Sequence, residues 1–281
     1  MTTDLTLLCV HAHPDDEASS TGGVLRTYAD QGVRTVLVTC TDGALGDSPD
    51  GVTPDLDHHV PDDVARHREA ELRASAAILG VQRLEMLGYA DSGMDGWPQN
   101  DAPGSFWSMP LAEAAAPLTR ILLEERPQVI VTYDENGFYG HPDHIQANRI
   151  TRLALEQSGL GSSLFYTAIP ISAFARFRAL MEEAGLEAPG GAEAHDEDGE
   201  ERPPPFGTPD EMIGVIVDVA AAADAKFDAL AAHASQTESS FFLRMGRERF
   251  RTAFRNEWFV RAVDPFARVG VDDDLFAPWR A

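Results

Sequence analysis

Short apolar runs alternate with longer amphipathic stretches through the first 170 residues of the chain, the pattern of a parallel sheet wrapped by helices. The runs Leu5-Thr6-Leu7-Leu8-Cys9-Val10 and Thr35-Val36-Leu37-Val38-Thr39-Cys40 have strand length, and further strands are predicted at 82–87, 128–133 and 163–169. Helices are predicted at 17–31, 62–79, 110–125 and 143–158. Helix 62–79 gathers alanine and leucine on one face, with Arg66, Arg68, Glu69, Glu71 and Arg73 elsewhere. Pro117 should kink or interrupt the third helix, since it removes one backbone donor. A strand at 211–218, a helix at 219–233 and a helix-plus-strand unit ending near Val263 complete the pattern. The expected class is α/β, a mostly parallel sheet with flanking helices. Residues 1–170 form the core, and 171–281 a C-terminal elaboration of the same domain.

Two connections exceed ordinary turns: 41–61, rich in Asp, Gly and Pro, and 88–109, which holds Asp91-Ser92-Gly93-Met94, Trp97, Phe106 and Trp107. Long loops at the strand ends of such a sheet are where binding sites are built. Segment 187–210 is acidic, proline-rich and poor in apolar residues, and reads as mobile. A formal charge of −24 argues against nucleic acid or an anionic membrane surface as partner. Cys9 and Cys40 both lie in apolar strands and read as small core residues. No basic leader and no bilayer-length apolar run is evident, so the expected location is cytoplasmic. Lys226 is the only lysine.

Candidate chemistry sits at two strand ends. The first cluster, His11-Ala12-His13-Pro14-Asp15-Asp16-Glu17, falls where the first strand hands over to a helix. The second, Tyr139-Gly140-His141-Pro142-Asp143-His144, follows the strand at 128–133 and also leads into a helix. Both can therefore face the crevice lined by the strands' carboxyl ends. A catalytic zinc takes three protein ligands from nitrogen and carboxylate oxygen and leaves a position for water. His13, Asp16 and His144 would supply that set, with Asp15 as general base toward a water acidified to a pKa of about 7. His141 and Tyr139 are available as oxyanion donors, and Asp143 is placed to orient His141. A two-metal phosphoesterase is disfavoured by the acidic chain and the single three-ligand set. A dinucleotide-binding protein is disfavoured because His-Pro-Asp-Asp stands where a Gly-x-Gly-x-x-Gly turn would be needed. A non-catalytic sugar-binding protein requires a lost ligand or base, and none is lost.

Ala12-His13-Pro14-Asp15-Asp16-Glu17 together with His141-Pro142-Asp143-His144 resembles the signature pair of the LmbE-like (PIG-L) zinc deacetylases. That resemblance implies a Rossmann-like fold, one zinc per chain, and hydrolysis of an N-acyl group on a small amino-sugar conjugate. Thr132-Tyr133-Asp134-Glu135-Asn136-Gly137, the Asp91-Ser92-Gly93-Met94 loop and Ala232-His233-Ala234-Ser235-Gln236 look like the mycothiol branch of the family. That branch comprises the N-acetylglucosaminyl-inositol deacetylase and the mycothiol S-conjugate amidase. Carried over by position, the resemblance implies zinc on His13, Asp16 and His144 and base catalysis by Asp15. It gives His141 and Tyr139 the oxyanion or the leaving amine, and assigns substrate contacts to Arg68 and Asp91. The stretch Thr41-Asp42-Gly43-Ala44-Leu45-Gly46-Asp47 lacks the Gly-Glu-x-Gly-Glu pattern of the branch and has Asp47 in place of a glutamate. Deacetylase, conjugate amidase and specialised-metabolite deacetylase therefore all stay open as activities.

Other polar residues have ordinary readings. His11 reads as a strand-end histidine, and Glu17 as an acid suited to a helix N-terminus. His58, His59, His67 and His195 read as solvated, and His233 as a cation at a helix C-terminus. His233 and Gln236 are weaker candidates for the pocket lining. Trp97, Phe106 and Trp107 would either stack on a sugar or pin their loop to the core.

Overall fold

The computed structural model describes residues 5–54, 57–186, 207–236 and 242–280. Seven strands form one sheet: β1 (Thr6–His11), β2 (Arg34–Thr41), β3 (Arg83–Tyr89), β4 (Val129–Thr132), β5 (Ser163–Ala168), β6 (Val215–Asp218) and β7 (Asn256–Val263), in the order β3-β2-β1-β4-β5-β7-β6. The pairs from β3 through β5 are parallel, while β7 runs antiparallel to both β5 and β6. β1, β2 and β4 are buried on both faces, which is why they read as unbroken apolar runs rather than alternations. The expected mostly parallel α/β sheet is the one observed.

The helices are α1 (Gly22–Asp30), α2 (Pro61–Leu79), α3 (Leu111–Glu125), α4 (Pro142–Ser158), α5 (Ile171–Glu183), α6 (Ala223–Ala232) and α7 (Arg247–Ala253). Two apolar clusters fill the space between the sheet and its covering helices. One joins α1, α2 and the C-terminal elements to one face, and the other joins α3 and α4 to the opposite face. Cys9 and Cys40 are free thiols, one in each cluster. Among the described residues no helix is long and apolar enough to cross a membrane.

Several expectations are corrected. The stretch 17–31 is helical as expected but broken in type: Glu17–Thr21 form a π-helical turn, and the α-helical part, α1, starts at Gly22. The cause lies far along the chain. Glu257 on β7 accepts the N–H groups of Gly23 and Val24 at 2.8 Å each, satisfying two orphan donors at the α1 N-terminus. The buried Lys226 ammonium in turn bonds Glu257 at 2.6 Å, so the chain's sole lysine is part of the core. Pro117 does not break α3; the carbonyl it leaves unbonded belongs to exposed Glu113. The strand expected at 211–218 is shortened to β6, preceded by a turn at Asp210–Met212, and α5 occupies a stretch for which no element was predicted. Most of the acidic segment, 187–206, lies outside the described residues.

At the sheet end away from the two chemical clusters, Glu125 at the close of α3 binds Arg34 at 2.6 and 3.0 Å and Arg83 at 2.7 Å, tying α3 to the starts of β2 and β3. The Arg34 bond, joined by Arg83, holds the Glu125 carboxyl at about 2, below its ordinary 4.5. A depressed carboxylate contributes stability above its unfolded pKa and loses it as pH falls through the folded one. Glu125→Gln should therefore destabilise the protein by about 1 kcal/mol at pH 7, discounted for the solvent around the arginines. Denaturant melts run from pH 7 downward should show the gap from wild type closing between pH 4.5 and about 2.

Candidate active site

The sheet order reverses direction at β1, whose neighbours β2 and β4 lead to opposite sides. The loops leaving the carboxyl ends of β1 and β4 therefore meet at a topological switch point, where α/β sheets open a crevice. The β1 loop brings His13, Asp15 and Asp16, and the β4 loop brings His141, Asp143 and His144. The second loop needs Gly137: at φ +60° its missing Cβ would lie 2.8 Å from the His144 Cβ.

Two sets of metal-ligating atoms each lie within 4.8 Å of one another: His13, Asp16 and His144, and His13, His141 and Asp143. Hydrogen bonding chooses between them. Asp143 Oδ2 already takes His13 Nε2 at 3.2 Å and the Ser92 N–H at 2.9 Å, and the Asp143 N–H donates to His141 Nδ1 at 3.1 Å. In the second set His13 Nε2, Asp143 Oδ2 and His141 Nδ1 are thus already engaged, and Asp143 Oδ1 is buried without a partner. In the first set, the Gly137 carbonyl accepts His144 Nδ1–H at 3.2 Å, leaving Nε2 buried and unpartnered. His13 donates from Nε2 to Asp143, which frees its Nδ1. Both free nitrogens approach Asp16 Oδ2, at 3.3 Å from His13 Nδ1 and 3.6 Å from His144 Nε2. A tetrahedral zinc with bonds of about 2.0–2.1 Å holds its ligand atoms about 3.4 Å apart, so these residues fit the ion. Asp143 therefore orients His13, a ligand candidate, whereas the sequence reading had its carboxylate orienting His141.

The electrostatics agree with a cation at this position. Burial opposes charge on His13, but Asp91, Asp143 and Asp16 outweigh it and raise its pKa well above the ordinary value. Burial pushes His141 down to about 3 and His144 down to about 4, in each case despite nearby carboxylates. Burial raises Asp15 to about 7, against the pull of Arg68. A carboxyl near neutrality is suited to passing a proton in both directions.

The residues expected to contact substrate are built into the wall. Arg68 is 4 % exposed and donates to the carbonyls of Gly43 at 2.7 Å and Pro14 at 2.5 Å, with Asp15 Oδ2 at 3.3 Å. Gly43 must be glycine here: it has φ +63°, and a Cβ would sit 2.6 Å from Arg68 Nη1. Asp91 accepts the N–H groups of Leu45 and Gly93 and lies 3.8 Å from His13 Nε2. Tyr139 stands at the rim, 43 % exposed, with its ring 6.0 Å from that of His141 and 5.2 Å from that of His144.

His11 has the structural role expected, bonding Tyr133 and Thr21 from full burial. Phe106 stacks on Tyr89, Trp97 packs against Gly93 and Trp107 lies against Arg149, so these aromatics pin the 88–109 loop. His67 is exposed, as expected, 3.4 Å from Glu71, whereas His59 is partly buried and bonds the Gly46 carbonyl at 2.8 Å. His195 falls outside the described residues. The sequence reading underrated Glu17 and His233. Glu17 is completely buried and bonded to His233 at 2.7 Å, so His233 serves this acid rather than its helix end. The only signal for this in the sequence was a third consecutive acid at the strand–helix turn.

A mostly parallel α/β sheet carries a His-Asp-His triplet and an adjacent carboxylate at its switch point, an arrangement able to hold a metal ion. The model of the GlcNAc-PI de-N-acetylase (PIG-L) family matches residues 8–155, and the chain belongs to that family of deacetylases. The 1D-myo-inositol 2-acetamido-2-deoxy-alpha-D-glucopyranoside deacetylase of Acidothermus cellulolyticus is 42 % identical over 97 % of this chain and 94 % of its own length. Among solved structures, the N,N'-diacetylchitobiose deacetylase of Pyrococcus horikoshii matches with a TM-score of 0.56 at 21 % identity, covering 90 % of this chain and 82 % of that one. The 4-carboxy-2-hydroxymuconate hydratase of Pseudomonas putida matches with a TM-score of 0.58 at 18 % identity, covering 95 % and 98 %. One fold thus carries differently named chemistries, and structural likeness at this identity speaks for the fold alone.

If the first triplet holds the ion, His13→Ala and His144→Ala should bind less than a tenth of the zinc that wild type does, by about the factor expected for a lost ligand. Asp15→Ala should retain a full equivalent. Elemental analysis after dialysis against zinc checks both expectations.

Proposed function

We propose that this protein is a zinc-dependent N-deacetylase acting on a small amino-sugar conjugate of the N-acetylglucosaminyl-inositol type, in the cytoplasm. The observation carrying this reading is the convergence of His13 Nδ1, Asp16 Oδ2 and His144 Nε2 beside Asp15, a carboxyl raised to about 7. The kinship with deacetylases named for that substrate supports the sugar. A zinc ion on those three residues would act as a Lewis acid toward the acyl carbonyl and acidify a water to a pKa of about 7.

The chain's own groups do the rest. Asp15 takes a proton from the attacking water as its oxygen bonds the acyl carbon. His141, whose Nδ1 is occupied by the Asp143 N–H, keeps its proton on Nε2. It donates from there, with Tyr139, toward the developing oxyanion and the departing nitrogen. As the carbon–nitrogen bond breaks, the nitrogen receives a proton and leaves as a free amine, while the acyl group leaves as acetate. Arg68 holds Asp15 and the Gly43 turn in place, and with Asp91 it borders the space for the sugar. Conjugate amidase and specialised-metabolite deacetylase share these steps and differ in the group that the 41–61 and 88–109 loops receive.

Metal-stripped protein should release no amine from N-acetylglucosaminyl-inositol, and one equivalent of zinc should restore release. A mycothiol S-conjugate assayed in parallel should be cleaved more slowly; faster cleavage of it would reassign the substrate, and zinc-independent release would remove the metal from the reaction. Asp15→Ala should lower kcat about 100- to 10,000-fold, the range for a lost general base.

A further inference from the structure

Asp15 has φ +105°, a conformation that residues with a side chain rarely adopt unless their surroundings fix it. Its carbonyl accepts from the N–H groups of Ala18 and Ser19, and its own N–H donates to Glu17 Oε2 at 2.9 Å. Glu17 Oε1 accepts Ser75 Oγ at 2.5 Å and meets His233 Nε2 at 2.7 Å. Glu17, Ser75 and His233 are all fully buried, and His233 Nδ1 has no partner among the described residues, so this imidazole's hydrogen bonding is directed at Glu17. The His233 segment is itself fixed. Ser235 gives both its N–H and its hydroxyl to Glu71 on α2, and Gln236 donates to the Asp47 carbonyl in the 41–61 loop.

We propose that Glu17 and His233 are a buried positioning pair that locks the Asp15 backbone in this conformation and so aims its carboxylate at the reacting water. The inference rests on Asp15 being the base proposed above. A carboxylate without solvent needs donors on both oxygens. Glu17 obtains them from the base's own peptide, from α2 and from the C-terminal part of the chain. Removing the carboxylate frees the Asp15 N–H, and nothing else described compensates it. Removing His233 leaves Glu17 charged and under-bonded, which pulls it from Asp15. Neither residue touches the metal-ligating atoms.

The test compares Glu17→Leu, His233→Leu and His233→Gln in the zinc-loaded enzyme, with Lys226→Met as a control for loss of a buried ion pair. Glu17→Leu and His233→Leu should lower kcat about 10- to 100-fold, with KM and bound zinc changed less than about twofold. His233→Gln keeps a donor near the Nε2 position and should recover most of the loss. In an Asp15→Ala background neither change should cost anything further. Lys226→Met should lower the melting temperature and leave kcat in place. Additive losses in the Asp15→Ala background, loss of zinc, or a kcat as unaffected as in Lys226→Met would each overturn the proposal. If His233→Leu does not fold, Ser75→Ala, which removes another donor to Glu17, takes its place. Hydrogen exchange at the Asp15 amide is a readout that needs no substrate: faster exchange in Glu17→Leu, which has no acceptor for that N–H, supports the lock, and unchanged exchange refutes it. Wild-type protein that releases no amine would defeat the assignment of the base, while this exchange would still decide the pair.

Discussion

A carboxylate removed from water must be given hydrogen-bond donors or a cation, and this requirement organises the molecule. Asp143 is met by a histidine and a backbone N–H, Glu17 by a serine, a histidine and a backbone N–H, Glu71 by both donors of Ser235, and Glu257 by a lysine and the first turn of α1. In each case a partner comes from a distant part of the chain. The C-terminal third thereby supplies His233 to Glu17 and Ser235 to Glu71, two acids of the N-terminal part.

The same requirement separates the candidate metal ligands from their supports. His13 and His144 each donate from one ring nitrogen to a protein oxygen, which leaves the other as a lone pair facing Asp16. His141 is fixed the opposite way: its Nδ1 accepts, so its remaining nitrogen is a donor. Three histidines with rings about 5 Å apart thus acquire different roles from single hydrogen bonds. No roster of ligand types would have shown that Asp143 serves His13.

The strands were legible because parallel strands buried on both faces are rich in apolar residues, and β1, β2 and β4 each hold a continuous apolar run. The metal-ligand candidates were legible because they cluster within a few residues at two strand ends. The break before α1 was not, since the carboxylate that starts the helix is more than 230 residues away. Glu17 and His233 were underrated for the same reason: each has an ordinary local role in a helix end, and only the fold reveals that they meet. α5 was missed because only Ala173, Phe174 and Met181 of its thirteen residues are buried, too sparse a stripe to stand out.

The Lys226–Glu257 pair has a practical corollary. Because the chain's single lysine is sealed in the core, its surface offers no lysine amine to succinimidyl esters, aldehydes or fluorogenic amine reagents. Such a reagent would label an amine liberated in the proposed deacetylation against little lysine background from the folded protein. Coupling the protein to a resin through its many carboxylates would not depend on that lysine.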